Sequence, residues 1–269
     1  MEKILFSLSA LAALAPVSIA SVKRSAAGPD RLFWLLLGVS VVGPAAWAAV
    51  QMAGTWRTGL STTLWVTIAA SMALFAVTAA ATRHAWRLTP LIGPYMMVLG
   101  LFALLWQHLP SHRPLAAETP TAVGWVGVHI AVSVATYGLV TIAALAALAA
   151  FLQERALKAK QPTALTRLLP SVVDAERLLV RLLLVGEGVL ALGLATGMAT
   201  QYGETHHFLI PDHKTILTIA SFVVIGILLI AHFRTGMRGR LVARVVLVAY
   251  LLITLGYPGV KLVTDVILG

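Results

Sequence analysis

Eight apolar runs follow one another along this chain, each near the length that a bilayer core of about 30 Å demands of a helix. They cover residues 4–22, 32–52, 60–81, 90–107, 125–152, 182–202, 215–232 and 241–262. In lipid, backbone N–H and C=O groups must be satisfied within the structure, which leaves the helix as the spanning unit for runs of this length. The expected fold is therefore all-α: a single membrane domain over residues 1–269, a bundle of about eight transmembrane helices. Composition agrees, since 11% of the residues are charged and 59% hydrophobic, whereas a soluble domain carries about 25% charge. The run 4–22 contains the small-x-small pattern Ser18-Ile19-Ala20, as a cleaved signal would. Lys23 and Arg24 follow at once and resist translocation, so the run is read as a retained span.

Basic residues orient the bundle. Lys23, Arg24, Arg31, Arg83, Arg87, the six between Arg155 and Arg181, and Arg234, Arg238, Arg240 and Arg244 fall on one side of it. Lys3, Arg57, Arg113, Lys214 and Lys261 fall on the other, and these account for all 20. The positive-inside rule makes the richer side cytoplasmic and both termini periplasmic, in the inner membrane of a bacterium. It also accounts for the net charge of +10 without a nucleic-acid partner. The connection 153–180 is expected on the cytoplasmic membrane surface as a short amphipathic helix carrying Leu165, Leu168, Leu169, Val172 and Val173. There is no cysteine, hence no disulfide, thiolate metal site or thiol redox chemistry. No P-loop, G-x-S-x-G, H-E-x-x-H or dinucleotide fingerprint is present, and no catalytic residue is assigned.

With the sides set, the histidines sort. His108, His112, His206, His207 and His213 are external, and His129 lies about one turn inside the external end of the fifth run. His84 and His232 mark internal ends. A rise of about 1.5 Å per residue separates His213 from His232 by roughly 28 Å, so they cannot share one metal ion. His129, Ser133 and Tyr137 recur at four-residue intervals and share a helix face. An imidazole so placed either packs as a polar contact between helices or ligates a haem iron, with the two hydroxyls orienting it. His206 and His207, with Asp212 and His213, offer donor types suited to Zn²⁺, or form a solvated loop. Glu187 is the one acid well inside a run, and intramembrane carboxylates face a bundle interior or an ion path. Gly186, Gly193 and Gly197 form one stripe that admits a close neighbouring helix.

The runs LLLVGEGVLALGLATGMA and PDHKTILTIASFVVIGILLIAHFRTGMRGR, with VHIAVSVATYGLVTIAALAALAAFLQERALK from Val128 to Lys158, resemble the integral-membrane cytochrome c assembly family. The resemblance covers roughly residues 125–262. It implies a haem-handling membrane protein acting with lipid, haem and other cytochrome c maturation proteins. His129 matches the family's external haem-ligand histidine in the pattern H-x-x-x-S-x-x-x-Y, and His232 matches a histidine near the internal end of its helix. His213, which begins the seventh run, is the expected second external ligand. The family's synthase subunit carries W-x-x-x-W-x-W-D-P-K-E where this chain reads QYGETHHFLIPDHKT. Asp212 and Lys214 match, the tryptophans are absent, and His213 replaces the proline. The resemblance therefore points to the shorter HemX-like and YpjD-like branch, without synthase activity. Two other readings stay open: a transporter or ion-linked protein using Glu187 and the external histidine loop, and a non-catalytic scaffold for a partner complex.

Overall fold

The computed structural model describes residues 2–23, 28–53, 59–107, 120–206, 212–237, 239–259 and 262–263. His108, His112 and His207 lie outside the described residues. Every regular element among them is helical: α1 (Glu2–Lys23), α2 (Arg31–Met52), α3 (Leu60–Ala81), a 3₁₀ turn (Ala85–Leu88), α4 (Thr89–Leu105), α5 (Pro120–Lys158), α6 (Ala164–Leu168), α7 (Val172–Thr205), α8 (His213–Thr235), α9 (Arg240–Thr254) and a π turn (Leu255–Gly259). Among these residues six helices are long and apolar enough to cross a bilayer: α2, α3, α4 with the 3₁₀ turn before it, α5, α7 and α8. The apolar stretch Ile4–Ile19 of α1 and the 15 residues of α9 are shorter. The protein is an all-helical, multi-pass membrane protein.

Helix ends follow local chemistry. Asp30 caps α2 by accepting from Phe33 N–H at 2.8 Å, and Ser171 caps α7 by accepting from Asp174 N–H at 3.2 Å. α8 stops at Gly236, whose φ of 67° is left-handed, a conformation glycine adopts without strain. α9 gives way to the π turn at Leu255–Gly259, where Pro258 has no N–H to donate.

α1 to α4 pack together, α3 meets α5, and α5, α7, α8 and α9 form the other half. Trp65, Ile68, Met72 and Phe75 of α3 are buried at the centre. The pairing of α5 with α7 is the most extensive among the described residues, and the glycine stripe of α7 lies against α5 along it. A β-carbon on Gly186 would lie 3.6 Å from Val140, and one on Gly193 would lie 3.5 Å from Val132, both on α5. Apolar side chains such as Val223, Ile227, Ile230 and Phe233 of α8 face outward, as a lipid-facing surface requires. Hydroxyls inside the bundle return to the backbone one turn earlier, Thr67 donating to Thr63 O at 2.8 Å and Thr141 to Tyr137 O at 2.7 Å, so few are left unsatisfied.

Residues 153–180 comprise the end of α5, the five-residue α6 and the first turns of α7. The Gln153 amide donates to the carbonyls of Thr166 at 2.6 Å, Pro170 at 3.1 Å and Leu169 at 3.3 Å. Leu169 is buried, whereas Leu165 and Val173 are exposed.

Candidate functional site

α5, α7, α8 and the end of α9 meet around one space, on the side where α7 ends and α8 begins. They enclose a cavity of about 390 Å³, within the range of pockets that hold drug-sized ligands. Its walls are apolar, from Ile130, Leu190, Leu194, Met198 and Ile253, and its mouth is polar, from Gln201, Asp212, Lys214 and Thr215. His129, Ser133 and Tyr137 all line it, so the four-residue spacing on α5 aims all three groups into one space.

The half-buried His129 is held by α7. Its Nδ1 lies 3.2 Å from Thr196 Oγ1. That hydroxyl has one proton, which it donates to the carbonyl of Leu192 at 2.9 Å or Gly193 at 3.1 Å. With that proton on a carbonyl, the hydroxyl accepts from His129, and the matching tautomer carries the ring proton on Nδ1. In neutral imidazole this leaves the lone pair on Nε2. One nitrogen tied to an outer partner and the other bare is the arrangement found in metal-bound histidines. Gly197 lies directly against the ring, where a β-carbon would be 3.0 Å from Cε1.

Tyr137 forms the floor. Its hydroxyl lies 3.1 Å from that of Tyr250 on α9 and 3.2 Å from that of Tyr95 on α4, and the Tyr95 and Tyr250 hydroxyls also meet. This triangle joins the two halves of the bundle beneath the cavity.

At the mouth, Asp212 caps α8 by accepting from Thr215 N–H at 2.7 Å. Partial burial pushes its carboxyl upward. The bonds from Thr215 and the charges of Lys214 and His213 outweigh that and hold it below its ordinary 3.8.

The other expected residues lie elsewhere. His213 is the first residue of α8 and is exposed; it does not line the cavity, although Asp212 and Lys214 on either side of it do. His206 closes α7 in a left-handed conformation, φ 56°, and is exposed. Among the described residues no three His, Asp or Glu side chains form a metal cluster. His232 is at the arginine-rich end, where its Nδ1–H donates to Met237 O at 2.9 Å. His84, at that same end, lies 3.3 Å from Asp174. Glu187 turns toward α8, with Oε1 3.2 Å from the β-carbon position of Gly226, and its Oε2 is buried without a hydrogen-bond partner. Thr196, Gln201, Tyr95 and Tyr250 were not singled out by the sequence. They act through neighbours remote in sequence, and only the position of Thr196 beside the glycine stripe gave a cue.

The donor set fits a haem in chemistry: an imidazole with a free lone pair, an apolar wall, and a lysine at the mouth able to meet a carboxylate. Fold and site together define a polytopic helical membrane protein with an imidazole-lined cavity at one end. Residues 32–268 match the family described as Cytochrome C assembly protein, and the chain belongs to that family. It is 56% identical over 272 residues to the "Uncharacterized 28.8 kDa protein in nifR3-like 5'region" of Azospirillum brasilense, covering 100% of this chain and 99% of the relative. It is 28% identical over 189 residues to "Inner membrane protein YpjD" of Escherichia coli strain K12, covering 70% of this chain and 68% of that protein.

Proposed function

We propose that this protein binds haem in the cavity beneath His129 and handles it in support of cytochrome c maturation, without being a synthase. The observation that carries the reading is the place of His129 in the cavity wall, with Nδ1 3.2 Å from Thr196 Oγ1, so that in the Nδ1–H tautomer Nε2 is left able to coordinate. A bound haem would supply an iron centre that takes imidazole as a ligand. His129 would hold the metal, Leu190, Leu194 and Met198 would exclude water, Ser133 would orient the ligand, and Lys214 would meet a carboxylate at the mouth. Family membership supports the cofactor, and the tryptophan-free stretch before α8 argues against presentation of haem to an apocytochrome. His213, beside the cavity-lining Asp212 and Lys214, is the residue that would supply a second imidazole. His232 is assigned to a separate haem contact at the arginine-rich end.

We place that end in the cytoplasm and the cavity on the periplasmic side of a bacterial inner membrane, with eight spans in all and both termini outside. The relative named as an inner membrane protein supports this localisation. Purification in detergent after expression with ample haem tests the reading. A Soret band with imidazole-type α and β bands is expected, and a colourless preparation that takes up no added haem contradicts it.

A second reading rests on Glu187, whose buried and unpartnered Oε2 would suit an ion-linked step between α7 and α8.

A further inference from the structure

At the arginine-rich end, the turn after α3 and the first turns of α7 enclose a crevice of about 400 Å³ that contains none of the residues assigned above to haem. We propose that it is a phosphate-binding site, and that the phosphate is the headgroup of an anionic phospholipid.

Three guanidinium groups, Arg83, Arg177 and Arg181, line it together with His84 and Thr82. All three arginines are exposed, and among the described residues none pairs with a carboxylate. The one acid in the crevice is Asp174. Its carboxylate is already engaged, by His84 Nδ1 at 3.3 Å and by the Ser171 hydroxyl at 2.6 Å. The crevice therefore carries an uncompensated excess of positive charge. Arg177 and Arg181 are four apart on one helix face, where like charges repel unless an anion sits between them. Guanidinium forks match the paired oxygens of a phosphate, and three of them around one concave space form a receptor for a compact, doubly accepting anion.

Position selects the source of that phosphate. α3 ends at Ala81, and the apolar stretch of α7, free of further basic residues, begins at Leu182, directly after Arg181. The crevice thus lies where apolar helix gives way to charge, at headgroup depth. Trp86 marks the same level: its Nε1–H donates to Arg83 O at 3.1 Å, and Arg87 stands 5.5 Å from its ring. Tryptophan with neighbouring arginine is the signature of a membrane interface, and basic pockets between helices at that depth hold lipid headgroups.

The full-length protein, reconstituted into nanodiscs of equimolar phosphatidylcholine and phosphatidylglycerol and released for native mass spectrometry, tests this. Wild type is expected to retain phosphatidylglycerol above the bulk ratio. The triple variant Arg83→Gln, Arg177→Gln, Arg181→Gln should lose that enrichment, with apparent affinity falling on the order of a hundredfold. A control triple, Arg155→Gln, Lys160→Gln, Arg167→Gln, removes equal charge from the same end and should keep it. Each single crevice variant should lower retention by itself, which decides the matter even if the triple variant fails to fold. Crevice and control variants that retain lipid equally overturn the site. Delipidated wild type that binds inorganic phosphate, with no preference between the two lipids, overturns the lipid assignment.

Discussion

His129 of α5 rests on the bare backbone of Gly197 in α7, so closely that a β-carbon there would stand 3.0 Å from Cε1. The neighbouring Thr196 hydroxyl takes Nδ1 at 3.2 Å. One turn of α7 therefore sets both the tilt of the imidazole and the nitrogen it leaves free.

Gly197→Ala must push the ring by a few tenths of an ångström or displace the helix. Haem content of the purified variant is expected to fall severalfold while the protein remains folded. Gly188→Ala is the control, because a β-carbon there meets nothing within 4 Å; it should leave haem content at the wild-type level.

The Gly186, Gly193 and Gly197 stripe was legible in the sequence because helical periodicity alone puts those residues on one face. The structure adds that α5 covers that face. The same periodicity foretold that His129, Ser133 and Tyr137 share a surface, and they line one cavity. What periodicity cannot carry is the pairing of distant helices. Tyr95 and Tyr250 are 155 residues apart, and nothing local in either helix announces their meeting. Of the histidines read as external, His206 terminates α7 and His213 starts α8. The stretch after residue 152 reads as a surface connection; in the structure α5 runs on to Lys158, with Glu154 and Lys158 paired along it.

Glu187 separates the haem reading from the ion-linked one. A carboxylate in hydrocarbon costs part of the about 2.5–3.5 kcal/mol that insertion scales assign to a central charge. Glu187→Leu should then be at least as stable as wild type and hold the same haem, measured by thermal unfolding in detergent and by the Soret absorbance. Loss of cellular function in both Glu187→Gln and Glu187→Leu, with haem content intact, would move the mechanism to this carboxyl.

Asp212 predicts an acid limb. Its folded carboxyl sits below the ordinary 3.8, so the native state binds fewer protons than the unfolded one. The stabilisation is complete above that ordinary value and is lost as pH falls through the lower folded value. Protection of the Thr215 amide against hydrogen exchange should therefore persist at pH 5 and weaken only in stronger acid. Asp212→Ala should cost about 1 kcal/mol at neutral pH, a typical value for a lost N-cap, and Asp212→Asn much less. Equal protection in all three proteins at neutral pH would remove the cap from the account.

Topology is open to a direct assay. Reporter fusions at Gln161, in the α5–α6 connection, and at Thr205, at the end of α7, should report opposite sides of the membrane. The same signal from both sites would contradict a membrane-crossing α7.

The most direct measurement is the haem content and visible spectrum of His129→Ala, with and without added imidazole. The variant should retain far less haem than wild type, and imidazole should restore part of it by filling the vacated coordination position. His84→Ala, at the opposite end of the bundle, should leave that site unchanged. Wild-type haem content and an unaltered spectrum in His129→Ala would contradict the account, leaving the imidazole as a polar contact between two packed helices.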